Sequence, residues 1–151
     1  MAYNKIKINP NIQHTINKNK NMRVKITKIK SSITFLIRCR NTGIIPNFIK
    51  NSIKNVHGIF HNQFNNYHIQ TRLESHVEHF EGKLLNLLIK QKYEELKNSE
   101  NMLTDLKNTL NNYLSQDERQ ELEFNENLII TGAQKQYDER HKRKFNKLQQ
   151  E

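Results

Sequence analysis

The stretch FLIRCRNTGIIPNFIKN, residues 35–51, decides the fold, because it turns a corner between two apolar runs. Gly43 stands where a helix can end on a left-handed residue, and Pro46 where the next helix can start without missing an N–H. Upstream, Met22, Ile26, Ile29, Ile33, Leu36 and Ile37 recur at three- and four-residue spacing, which is one face of a helix. Downstream, Ile49, Ile53, Val56 and Phe60 do the same. The spacing predicts helices over 22–42 and 46–61 joined by a tight corner.

Further along, Ile69, Leu73, Val77, Phe80, Leu84 and Leu88 keep the helical period, followed less regularly by Tyr93, Leu96, Leu103, Leu106, Leu110 and Leu114. A long helix over 67–114 is expected, with Asn98 and Ser99 as the place where it could divide. Ser115-Gln-Asp-Glu118 matches a capping box, in which the Ser hydroxyl accepts the N3 amide and the Glu reaches back to the cap. It should open a last helix over 116–149, antiparallel to the one before. Thr131-Gly132 weakens its middle, and Tyr137, His141, Phe145 and Leu148 restore an apolar side. Residues 1–21 carry Pro10, scattered Asn and no sustained apolar period, so a basic flexible arm is expected there. The expected fold is all-α: an arm over 1–21 and a single helical domain over 22–151, with a short helical corner followed by a long antiparallel helical hairpin.

Composition agrees with helices. Only four Gly and two Pro occur in 151 residues, too few turn residues for a many-stranded β-sandwich. Cys39 is the one cysteine, so neither an intrachain disulfide nor a cysteine-rich zinc cluster can form, and a reducing compartment is expected. There is no leader-like apolar segment near Met1, nor any apolar run near the roughly 18 residues of a membrane span. A location inside the cell, nuclear or cytoplasmic, is therefore expected, with no membrane partner.

The net charge of +10 is unevenly spread. Met1 to Leu73 holds 13 Lys or Arg and no Asp or Glu, whereas Glu74 to Glu151 holds 12 basic and 15 acidic residues. An AT-biased gene would raise Lys along with Asn and Ile, yet it would leave acidic codons in both halves. The asymmetry points to a polyanion facing the first half, nucleic acid before a membrane surface.

Catalytic and metal signatures are weak. His57 and His61, and His76 and His79, have spacings that place two imidazoles on one helical face. Lys50 and Lys54 share the first pair's face and would repel a dication, and two ligands on an exposed helix make no site. Cys39 is expected to be a structural thiol, since a helix C-terminus disfavours a thiolate even between Arg38 and Arg40. No Gly-rich phosphate loop, GxSxG elbow, HExxH or paired carboxylates occur, so neither an enzyme, a cofactor, a metal nor a small-molecule substrate is expected. Cations arranged to follow phosphates are the stronger signal. On the first helix Lys28, Arg38 and Arg40 lie near Phe35, which is itself read as a packing residue; on the second, Lys50 and Lys54 line one flank with His57 and His61. On the last, Arg140, Arg143, Lys144 and Lys147 fall at i, i+3, i+4 and i+7. A localisation signal or a solvated helix end would use the same residues.

Three segments, SSITFLIRCRNTGIIPNFIKN (31–51), TRLESHVEHFEGKLLNLLIKQKYEEL (71–96) and RHKRKFNKLQ (140–149), resemble the region that precedes the polymerase core in reverse transcriptases of Penelope-like retroelements. The shared pattern is a basic helix ending in FLxRCR, a Gly-Ile-Ile-Pro corner, a second helix, an extended helical pair and a basic last helix, over roughly Arg23 to Leu148. Such proteins go on to a polymerase with paired catalytic Asp residues and often a GIY-YIG nuclease; neither has a counterpart here. The resemblance implies a truncated or isolated accessory region that binds RNA or DNA without catalysis. The competing expectation is a helical interaction module, a coiled-coil-like homodimer or the partner of another helical protein, whose charge is compositional.

Overall fold

The structure, a computed structural model, describes residues 10–53 and 77–150. Four helices account for nearly all of them: α1, Pro10–Thr42; α2, residues 47–53; α3, Val77–Asn111; and α4, Gln116–Gln149. No strand occurs among the described residues. The all-α expectation holds.

α1 begins at Pro10, twelve residues before the expected start. Proline at the first helical position forfeits an N–H that would have no intrahelical acceptor, so it opens this helix rather than breaking it. The buried face also starts early: Ile16 and Asn19 continue the stripe of Ile26, Ile29, Ile33 and Leu36. Residues 10–21 are therefore the first third of a 33-residue helix, not a flexible arm. Residues 1–9 lie outside the described residues.

The corner is a complete Schellman motif. The Gly43 amide donates to Arg40 O at 3.3 Å and the Ile44 amide to Cys39 O at 2.9 Å, which satisfies two carbonyls that the helix end would leave bare. Gly43 sits at φ +71°, where an L side chain is strained. Ile44 then folds back onto the core around Cys39. Pro46 is buried, and its carbonyl receives the Ile49 and Lys50 amides at 3.0 and 3.2 Å, so it caps α2 rather than lying within it. The expected continuation of this helix through Lys54, Val56 and Phe60 to residue 61 lies outside the described residues.

α3 runs unbroken through Asn98 and Ser99, where a division was allowed for. Ser99 is buried, and its small side chain keeps the stripe of Leu96, Leu103 and Leu110 continuous. The expected start at 67 and the residues up to 76 lie outside the described residues. After a turn closed by the Tyr113 and Leu114 amides on Leu110 O, Ser115 caps α4 as expected. The Glu118 amide donates to Ser115 Oγ at 3.2 Å, and the Ser115 amide donates to Glu118 Oε1 at 2.9 Å.

The two long helices do not pair chiefly with one another. Each packs on α1, which the expected hairpin left out. One core joins Phe35, Leu36 and Cys39 of α1 to Ile49 of α2, Leu85 and Ile89 of α3, and Phe145 and Leu148 of α4. A second joins Ile16 to Leu110 and Leu114, with Ile12 and Leu122 packed against them. α1 is thus antiparallel to α3 and parallel to α4.

Two glycines test this account. Gly43→Ala should lower stability by about 1–2 kcal/mol, because no neighbour lies within 4 Å of an added Cβ and the cost is purely backbone strain. Gly82→Ala, inside α3 and equally open, should instead raise it by about 0.5–1 kcal/mol. Denaturant melts of both variants measure this; equal signs would mean that the corner is not held by the left-handed residue.

Candidate nucleic-acid interface

The parallel pairing of α1 with α4 brings two helix C-termini to one end of the bundle. It is fixed by polar bonds at a constant offset: Asn19 Nδ2 donates to Glu126 Oε1 at 3.0 Å, and Ser31 Oγ donates to Asp138 Oδ1 at 2.8 Å, both across 107 residues. Arg23 adds an ion pair to Glu126 at 2.9 Å and a bond to Asn127. Asn19 and Glu126 are 3% and 4% exposed, so this is a buried carboxylate with its donors supplied.

Over the C-terminal core, cations lie on aromatic rings. The Arg38 guanidinium sits 3.9 Å above the Phe145 ring, and Lys144 Nζ lies 5.2 Å from the Phe35 centroid and 5.4 Å from that of Phe48. Arg140 stands 5.9 Å from Tyr137. A cation held by a ring quadrupole keeps its charge available to solvent, which one neutralised by a carboxylate does not. Arg40 and Lys147 occupy the last turns of α1 and α4, where the helix dipole favours positive charge. Lys28, Lys50 and Arg143 are exposed. Of the expected set, Arg38 and Lys144 lie on the rings of the C-terminal core, and Lys28 and Arg140 act on His141 through their charge, whereas Arg40, Lys50, Arg143 and Lys147 are exposed. Lys54 lies outside the described residues.

Cys39 is fully buried in the core, and burial pushes its thiol up, opposed by the charges of Lys144 and Arg38. It is a packing residue, as expected. Phe35 is buried too, its ring stacked on His141 with centroids 5.1 Å apart.

The sequence reading placed His141 on the apolar side of α4 but did not anticipate its polar role. Ser31 Oγ lies 2.8 Å from His141 Nδ1 while giving its own proton to Asp138. The bond to His141 must then run from Nδ1–H to the serine oxygen, leaving Nε2 as a free acceptor. That order opposes nucleophilic catalysis, in which the serine proton would have to pass to the imidazole. Together Thr27, Lys30, Ser31, Thr34, Phe35 and Arg38 of α1 and the facing residues of α4 line a groove of about 720 Å³. A buried serine among the isoleucines of α1 was the available signal. Its two partners, 107 and 110 residues away, were not visible in sequence order.

Among the described residues, no three His, Cys, Asp or Glu side chains gather as a metal ion requires, and no helix is long and apolar enough to cross a membrane. The paired histidines His57, His61 and His76 lie outside the described residues.

Burial depresses the His141 pKa, with Lys144, Arg140 and Lys28 adding to the effect and Asp138 opposing it. A folded value below the unfolded one, about 6.5, means that the unfolded chain binds the extra proton first. This stabilisation is therefore full above about pH 6.5 and is lost as pH falls through the depressed folded value. Tm should drop between pH 7 and 5, and His141→Phe, which keeps the stacking, should show a shallower drop from a lower starting Tm. Parallel pH profiles in thermal melts would refute the assignment.

No family model, curated protein or solved structure matches the chain.

Proposed function

We propose that the helices form a non-catalytic nucleic-acid-binding module that contacts RNA or DNA phosphates through the C-terminal end of the bundle. One observation carries this reading: Arg38 and Lys144 are fixed on aromatic rings at an end where α1 and α4 both terminate. Among the described residues, none of Lys28, Arg38, Arg40, Lys50, Arg140, Arg143, Lys144 or Lys147 forms an ion pair with a carboxylate. Arg23 and Lys30, by contrast, face Glu126 and Glu100. The role is that of an accessory domain, in keeping with the resemblance to the region preceding the Penelope-like polymerase core.

Phosphate contacts of this kind release counterions and weaken with salt. Electrophoretic mobility of labelled single-stranded RNA and duplex DNA should show a shift at 50 mM salt that weakens by about tenfold or more at 200 mM. The triple variant Arg140→Glu, Arg143→Glu, Lys144→Glu should weaken binding and flatten the salt slope by about 3. Absence of any shift at low salt would end this reading.

A second reading is favoured by a separate surface. Phe124 and Leu128, four residues apart on α4, are 66% and 63% exposed, and Tyr113 before the helix is 65% exposed. Paired side chains of this size on one helical face suit a helical interaction module in which a second copy covers them. Light scattering at about 100 µM should then give a dimer mass that Phe124→Ser with Leu128→Ser converts to the monomer. A monomer from the unmutated protein would remove this alternative.

A further inference from the structure

The α1–α4 groove has an unusual hydrogen-bonding polarity. Thr27 Oγ1 donates to Arg23 O at 3.0 Å and Thr34 Oγ1 to Lys30 O at 3.1 Å, so both hydroxyl protons are committed to the helix backbone. Ser31 has given its proton to Asp138, and His141 has given its Nδ1 proton to Ser31. What remains on these side chains are lone pairs: two threonine oxygens, the free carboxylate oxygen of Asp138 and His141 Nε2. Of the uncharged side chains lining the groove, the Gln134 amide is the one with N–H groups to offer. The remaining donors are charged: Lys30, Arg38 and Lys142.

A ligand matching this lining must bring N–H or O–H donors to its interior and negative charge to the cations. A volume of about 720 Å³ is within the usual range of roughly 300–1,000 Å³ for ligand pockets. We propose that the groove takes an unstacked nucleotide of single-stranded RNA, an amino-bearing base donating to the acceptor wall while the backbone phosphates meet Arg38 and Lys142. This deepens the nucleic-acid reading and rests on it. A duplex hides those base donors in its own pairs, so the lining selects a single strand. Cytosine and uracil share size, but cytosine presents an exocyclic amino donor at the edge of its ring where uracil has a carbonyl, and uracil's one ring donor, N3–H, lies between two carbonyl oxygens that the acceptor wall would repel.

The experiment is fluorescence anisotropy at pH 7.5 with 12-nucleotide oligo(C) and oligo(U) RNA. Oligo(C) should bind about fivefold more tightly, the discrimination expected of one hydrogen bond gained against one lone-pair clash. Thr27→Val with Thr34→Val keeps the β-branched shape and the charges while removing two acceptors; by weakening oligo(C) and relieving the clash with oligo(U), it should bring the two affinities within about twofold. Equal affinities in the unmutated protein, with salt-sensitive binding intact, would overturn the groove and leave the phosphate-binding reading standing. A cytosine preference that survives the double substitution would likewise overturn it. Failure of both oligonucleotides to bind at 50 mM salt would remove the phosphate-binding reading together with the groove.

Discussion

The carboxylate of Glu126, buried between two long helices, is the constraint on which the arrangement depends. A charge so enclosed is tolerated only where donors surround it, and α1 supplies Asn19 and Arg23. Parallel helices align their dipoles side by side, an orientation with no electrostatic reward, so something specific must select it. Asn19 meets Glu126 and Ser31 meets Asp138 at the same offset of 107 residues, holding the two helices in step across more than three turns. Sliding α4 by one turn would part Glu126 from Asn19 and Asp138 from Ser31 at once. Apolar packing supplies the attraction between α1 and α4, and these polar pairs choose the direction and the register.

That choice also divides the charge. α1 contains no acidic residue, and its N-terminal two thirds meet carboxylates from both neighbours: Glu126 of α4, and Glu100 of α3 at 3.9 Å from Lys30. The exposed Lys30 pair contributes little to stability. Its consequence is electrostatic, since part of the positive charge of the first half is balanced within the fold. Asp138, which faces α1 just before the C-terminal core, is occupied by Ser31. The cations beyond it are left to aromatic rings and solvent.

Much of this was legible in the sequence because it rests on local rules. The Gly43 stop, the Ser115 cap, the end of α1 at Thr42 and the span of α4 each follow from backbone chemistry within a few residues. The basic stripe of α4 was readable for the same reason. The start of α1 was missed where that logic changes: Pro10 and Asn19 look like loop residues to a pattern that counts only apolar side chains. Asn19 occupies a core position because a carboxylate 107 residues away makes it the right donor. The pairing of both long helices with α1, and the Ser31, Asp138 and His141 cluster, depend on the same long-range complementarity.

The groove follows from two uses of hydroxyl groups that are ordinary by themselves. Threonine in a helix commonly turns its proton back onto the carbonyl four residues earlier, and Thr27 and Thr34 both do so. Ser31 breaks the pattern by reaching across to Asp138, which fixes the His141 tautomer. Each choice removes a donor from the same wall, and none restores one. Register therefore fixes more than packing: by setting Ser31 opposite Asp138, it decides which protons the groove retains, leaving lone pairs on its neutral side chains beside the charges of Arg38 and Lys142. A serine to alanine change at position 31 would free the Asp138 carboxylate and the His141 Nδ1 at once, altering the wall without touching its cations.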